Sequence, residues 1–222
     1  MKAKKSNFLL LALISTSLIQ GQSWAEEFKA KFTAKGEIIS VGGQDGIKSE
    51  DGLLRLTMPA GISAKVDEKN NAAIYFSGLQ KEPSLLSSCI SPLPPTEIKL
   101  KINPAVESSQ EMTILSIGIA ELRHNPIKDE LSLIVQLNEG YAQVKAPCLK
   151  GAVSEVKVNI NERGAVLNVN GSEAKLEVPQ GKKIRVVQMY PRFGASSKES
   201  RLYKGYIYEV ELNANTGAIV RP

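Results

Sequence analysis

A single histidine, a single tryptophan and two cysteines are all that 222 residues contain of those types. Each scarcity closes off some chemistry. With His124 as the only histidine, and Cys89 and Cys148 far apart, no zinc site of His and Cys can be assembled. A Ser-His-Asp or Cys-His arrangement would have to use His124. That residue lies in Arg123-His124-Asn125-Pro126, which reads as an exposed turn, and nothing in the sequence places a serine or cysteine beside it. No loop has the Asp-x-Asp-x-Asp-Gly spacing of a calcium hand. Calcium stays open only through oxygen donors such as Asp45, Asp51, Asp67 and Asp129, so no cofactor is expected.

Charge of one sign is also scarce. The net charge is +5, but Lys2, Lys4 and Lys5 supply three of those charges. Removing the first 25 residues brings the balance from +5 to +2. Without a concentrated basic footprint, nucleic acid is not an expected partner. No sustained helical period occurs beyond the first residues. No second apolar run of membrane length appears either, so no transmembrane segment is expected in the mature chain.

What is present begins with a targeting signal. The three lysines precede an apolar run, Phe8 to Ile19, too short to cross a hydrocarbon core of ~30 Å with ease. Ser23-Trp24-Ala25 then puts small residues at the two positions a signal peptidase reads, and Glu26-Glu27 follow. The expectation is a signal peptide over residues 1–25, cleaved after Ala25, and one domain over residues 26–222. The protein should therefore be exported, periplasmic or secreted to the cell surface. In that setting Cys89 and Cys148 are expected to form a disulfide bond, worth ~4 kcal/mol in the chain-entropy account. Mass spectrometry of unreduced, alkylated protein should then find no free thiol.

The rest of the chain alternates with a period of two. Val156, Val158 and Ile160 face one way, and Lys157 and Asn159 the other. Asn161-Glu162-Arg163-Gly164 makes a turn into Ala165, Leu167 and Val169. Asn170-Gly171, the strongest short hairpin signal, leads to Ala174, Leu176 and Val178. Phe28 to Lys35 reads as a lysine-guarded strand that must not pair with a neighbouring molecule. Leu53–Met58, Ile62–Val66, Ala72–Leu79, Glu97–Asn103 and Thr113–Ile119 follow, the last apolar enough to sit mid-sheet. Leu131–Leu137 and Tyr141–Ala146 form a hairpin around Asn138-Glu139-Gly140. Lys183–Tyr190 and Tyr203–Leu212 close the set. Pro83 to Pro95 is a surface loop carrying Cys89. About a dozen short strands with regular turns predict an all-β antiparallel β-sandwich.

Several stretches resemble a known superfamily. Thr113-Ile114-Leu115-Ser116-Ile117-Gly118 is similar to its "leu-phe-ser-ile-gly" strand. Leu131 to Leu137, with Gly140, is similar to the strand and turn that follow. Val156 to Gly171 resembles its "val-x-val … leu-x-val-asn-gly" pair, and Tyr203 to Val210 its closing "phe-x-gly-x-ile-x-glu-val" strand. The order matches the concanavalin A-like lectin and laminin G-like domains over the C-terminal half. The resemblance implies a jelly roll and a lectin-like, non-enzymatic binding module. Its partner would be a glycan or a protein surface, in adhesion or envelope assembly. The alternatives are a glycoside hydrolase or lyase on the same fold, or a structural subunit of a surface assembly. Hydrolases of the superfamily carry Glu-x-Asp-x-x-Glu on one strand, which is missing here. Glu209 and Glu211 alternate with Val210 and Leu212 and read as solvated charges. No catalytic or metal residue is assigned.

A binding region is nevertheless expected. The loop from Tyr190 to Tyr203 joins two patterned strands and carries Tyr190, Arg192, Arg201 and Tyr203, types enriched at binding hot spots. Phe193 and Tyr203 could instead pack beneath the loop and cover the core.

Overall fold

The computed structural model describes residues 24–32, 37–40, 54–55, 60–80, 92–185, 192–196 and 201–216. The strands are β1 (Trp24–Phe32), β2 (Glu37–Ser40), β3 (Leu54–Arg55), β4 (Ile62–Val66), β5 (Ala72–Ser77), β6 (Pro92–Pro104), β7 (Met112–Ile117) and β8 (Ala120–Asn125). They continue with β9 (Glu130–Gln136), β10 (Tyr141–Pro147), β11 (Ser154–Asn161), β12 (Gly164–Val169), β13 (Ser172–Glu177), β14 (Arg192–Phe193) and β15 (Lys204–Thr216). A ten-stranded sheet has the path β13-β12-β11-β6-β15-β1-β2-β3, with the β4–β5 hairpin joined to β15 beside β1. The second sheet has five strands, β10-β9-β8-β7-β14. All the strand pairs named here are antiparallel, and the two inner faces share one apolar core. The fold is the expected jelly-roll β-sandwich.

Local chemistry explains the meander. β11 alternates strictly between buried and exposed, with Val156, Val158 and Ile160 in the core. Asn161 Oδ1 accepts the N–H of Arg163 at 2.8 Å and of Gly164 at 3.1 Å, closing the first turn. Asn170 and Gly171 have φ of 52° and 87°, the left-handed pair that a type I′ turn demands. The Leu131/Tyr141 hairpin and the mid-sheet place of β7, between β8 and β14, also follow the expectation.

Other elements differ. β1 is not an edge strand, because it lies between β15 and β2. An expected cut after Ala25 leaves the pairing from Glu26↔Ala214 onward in place. Of the strand expected over Lys183–Tyr190, the described residues 183–185 hold a bridge between Ile184 and Leu137, and the rest lies outside those described. Cys148 is buried, and its thiol donates toward Ser154 Oγ at 3.6 Å. Cys89 lies outside the described residues, as do residues 1–23 of the expected signal peptide. No helix among the described residues is long and apolar enough to cross a membrane.

His124 is the largest departure. It sits inside β8 at 0 % exposure, not on an exposed turn. Strand β8 continues through Asn125, so His124 shares the inward phase of Leu122. Its Nε2 lies 3.0 Å from the Cys148 carbonyl oxygen, which can only accept, so Nε2 carries the proton. Nδ1 has no hydrogen-bond partner among the described residues. Burial, opposed by the Cys148 carbonyl and Asp129, holds the imidazole below its ordinary value of 6.5. The unfolded chain therefore takes up a proton first as pH falls, and stability drops from about pH 6.5 downward until the folded imidazole also protonates. The thermal midpoint should fall between pH 7.5 and 5.5. A His124→Leu variant should be nearly flat over that window, because no other histidine exists. Parallel profiles would refute this role.

Candidate functional site

The residues expected to bind are drawn apart by the fold. Tyr190 lies outside the described residues. Tyr203 is 0 % exposed and belongs to the core, so it cannot meet a partner at the surface. Its ring packs edge-on against Phe76 at 5.7 Å, and its hydroxyl donates to the Tyr206 carbonyl at 3.1 Å. Gln80, itself buried, donates to the Gly194 carbonyl at 2.8 Å and the Tyr203 carbonyl at 3.1 Å. Phe193 is buried as well.

Arg192 and Arg201 both lie along β7 of the five-stranded sheet. Arg192 stands opposite Ser116 in register. Arg201 Nε lies 3.2 Å from Glu111 Oε2, and Arg123 shares that carboxylate at 3.4 Å. Arg123 also grips Glu121, with Nε to Oε2 at 2.9 Å, and Ser116 Oγ donates to Glu121 Oε1 at 3.4 Å. This chain of charges pins the 201 end of the loop to β7 and β8.

A different constellation, missed in the sequence, occupies the outer face of the ten-stranded sheet. β15 pairs with β6 as Ile207↔Ile102 and then Glu209↔Lys101, so Tyr208 is the extra residue of a β-bulge. The bulge shifts the core-facing positions from Gly205 and Ile207 to Val210, Leu212 and Ala214. It also brings Tyr208 onto the side of Tyr206, where their rings stack 6.1 Å apart at 20°. Tyr75 lies directly across from Tyr206 on β5, with centroids 4.9 Å apart. Lys65 Nζ stands 3.9 Å over the Tyr75 ring, a cation–π contact. Gly205 makes the approach feasible. A Cβ there would come within 2.4 Å of the Asn103 carbonyl oxygen.

The polar groups around these rings are held firmly. Asp67 accepts the Tyr208 hydroxyl at 2.8 Å and the backbone N–H groups of Lys69 and Asn71 at 2.9 and 2.8 Å. Burial raises this carboxyl. The hydrogen bonds from Asn71, Tyr208 and Lys69 outweigh it and hold Asp67 at about 2. Burial and the bond to Asp67 push Tyr208 up to about 12, so it remains a donor at neutral pH. Asn103, beside Tyr206 in register, hydrogen-bonds the Tyr208 hydroxyl, and its own Oδ1 is buried without a partner among the described residues. Farther along the face, Glu211 Oε1 accepts from Lys99 Nζ at 2.7 Å and from Asn213 Nδ2 at 3.4 Å.

Such a surface can stack a ring against the half-buried Tyr75 and Tyr206, with the Lys65 ammonium at its edge. Among the described residues, no three His, Cys, Asp or Glu side chains gather to hold a metal. Asp67 is committed to the hydrogen bonds above, and Asp129 Oδ1 accepts the Lys150 N–H at 3.1 Å. Asp45 and Asp51 lie outside the described residues. Between the sheets there is a cavity of about 10 Å³, lined only by apolar side chains such as Leu115, Leu133 and Val158.

The architecture places the protein in a class, the antiparallel jelly-roll β-sandwich, defined by its two packed sheets. No protein-family model matches the chain, and no curated protein matches it. The solved structures that are similar include these two. One is domain 4 of AbnA, a GH43 extracellular arabinanase from Geobacillus stearothermophilus, in complex with arabinotriose. It has TM-score 0.47 at 11% identity, covering 86% of this chain and 84% of that one. The other is mouse laminin alpha1 chain, domains LG4-5, with TM-score 0.46 at 19% identity over 81% of this chain. There the chain spans about half, 48%, of the laminin structure. Both are loose likenesses and bear on no residue of the site.

Proposed function

We propose that this is an exported, non-enzymatic binding module whose tyrosine face takes a neutral glycan. The carrying observation is the pair of half-buried rings Tyr75 and Tyr206 on a sheet face, with the buried Tyr208 ring stacked beside Tyr206 and the Lys65 ammonium over Tyr75. A sugar ring offers C–H groups to an aromatic face and hydroxyls to the polar groups at its edge, so such a face suits a glycan. The only histidine, His124, is buried in β8, and the hydrogen bonds to Asp67 hold that carboxyl ionised, so Asp67 is unsuited to general-acid work.

The test is calorimetric titration of neutral and charged polysaccharides. Tyr206→Ala should weaken binding of the preferred polysaccharide by ~10–100-fold, the loss of one stacking contact and its buried area, with little change in thermal midpoint. If Tyr206→Ala and Tyr75→Ala both bind as the wild type does, the platform is not the site. A protein partner at the Arg192–Arg201 rim is the second reading. It is favoured by Arg201, whose side chain is 43% exposed. Adhesion or envelope assembly would be the setting for either.

A further inference from the structure

Among the described residues, four of the five exposed large aliphatic side chains lie at one end of the sandwich, Val66 at 43% being the exception. Leu79 is 78%, Val106 60%, Ile127 75% and Leu149 60% exposed. Each sits just beyond a strand end. Leu79 follows β5, and Val106 follows β6, on either side of the start of β15. Ile127 lies in the β8–β9 turn and Leu149 in the β10–β11 turn. Three of these four turns are bonded to one another. Cys148 N–H donates to the Asp129 carbonyl at 2.7 Å, and Gly151 N–H to the Pro104 carbonyl at 2.7 Å. Lys150 Nζ donates to the Pro126 carbonyl at 2.8 Å. The tips are therefore held in place.

We infer that this end docks on an anionic lipid surface, with Ile127, Leu149 and Val106 entering the headgroup boundary. Two observations favour lipid over a protein. The tips are aliphatic and stand on separate turns, and they lack the tryptophan, tyrosine and arginine that dominate protein hot spots. Cations outnumber carboxylates at this level: the exposed Lys128 follows Ile127, Lys150 follows Leu149 and Lys204 opens β15, three lysines beside Asp129 and Glu107. The acidic neighbours are engaged. Glu107 lies 3.3 Å from Lys204 Nζ, and Asp129 caps the Lys150 N–H. Apolar insertion combined with lysines near phosphate groups is the pattern of reversible membrane attachment.

The experiment is co-sedimentation of the full exported protein with vesicles of pure phosphatidylcholine and of phosphatidylcholine with phosphatidylglycerol. The wild type should pellet with the anionic vesicles and remain largely in solution with the neutral ones. Ile127→Asp with Leu149→Asp should cut the bound fraction at least tenfold while leaving the thermal midpoint within a few degrees. Should the double variant not fold, Ile127→Asp alone should show a smaller loss. Lys128→Glu should reduce the preference for anionic vesicles. The inference is overturned if the wild type pellets with neither vesicle, or if the aspartate variants bind as well as the wild type. It is equally overturned if light scattering shows a dimer that the aspartate variants dissociate, since a second copy then covers these tips.

Discussion

Tyr203→Ala should destabilise the domain by about 3–5 kcal/mol, the usual range for deleting a fully buried aromatic. The residue is 0 % exposed and touches Phe76 across the sandwich. Its loss would leave a cavity beneath the segment that Gln80 ties down through the Gly194 and Tyr203 carbonyls. For a chain of this size the thermal midpoint should fall by roughly 6–20 °C. Tyr203→Phe keeps the packing and removes only the donor to the Tyr206 carbonyl, so it should cost about 1 kcal/mol. Denaturant titration followed by circular dichroism measures both. An unchanged midpoint for Tyr203→Ala would return this tyrosine to the surface role that its position in the sequence suggested.

The second large effect is expected at Arg123. Arg123→Met removes one cation from between two carboxylates, Glu121 and Glu111. The side chains of Arg123 and Glu121 are only 18% and 9% exposed, so Glu121 would be left nearly buried without its cation. The cost should be about 2–3 kcal/mol, below the figure for a fully buried pair because some solvent reaches the site. Adding Glu121→Gln should recover part of that loss, and a double-mutant cycle would measure the coupling. Arg201→Ala, at the exposed end of the same network, should cost less than about 1 kcal/mol. It thereby separates the two roles. Arg201→Ala in combination with Arg192→Ala should abolish partner binding only if the rim is the contact, and should leave a tyrosine-face ligand untouched.

Some of this was legible from residues alone. The β11–β12–β13 meander rests on local chemistry: a period-two pattern, an Asn161 side chain that closes its own turn, and an Asn170-Gly171 pair that tolerates positive φ. The Leu131/Tyr141 hairpin and the all-buried β7 have the same origin. Neighbours in sequence carried that information, so no tertiary contact was needed to read it.

The sites were decided elsewhere. His124 precedes an Asn-Pro pair, a strong turn signal, yet β8 runs one residue further and its pairing with Met112 and Leu131 encloses the ring. Tyr203 and Tyr206 look alike in sequence, and their positions in the strand put one in the core and the other on the outer face. The tyrosine platform depends on a bulge that no local pattern announces, and on Tyr75 arriving opposite Tyr206 from a distant hairpin. Alternation and turn chemistry are properties of adjacent residues, and they determined that this chain is an antiparallel sandwich. Which side chains meet on its faces depends on register and strand order, and those are settled only when the sheets pair and pack.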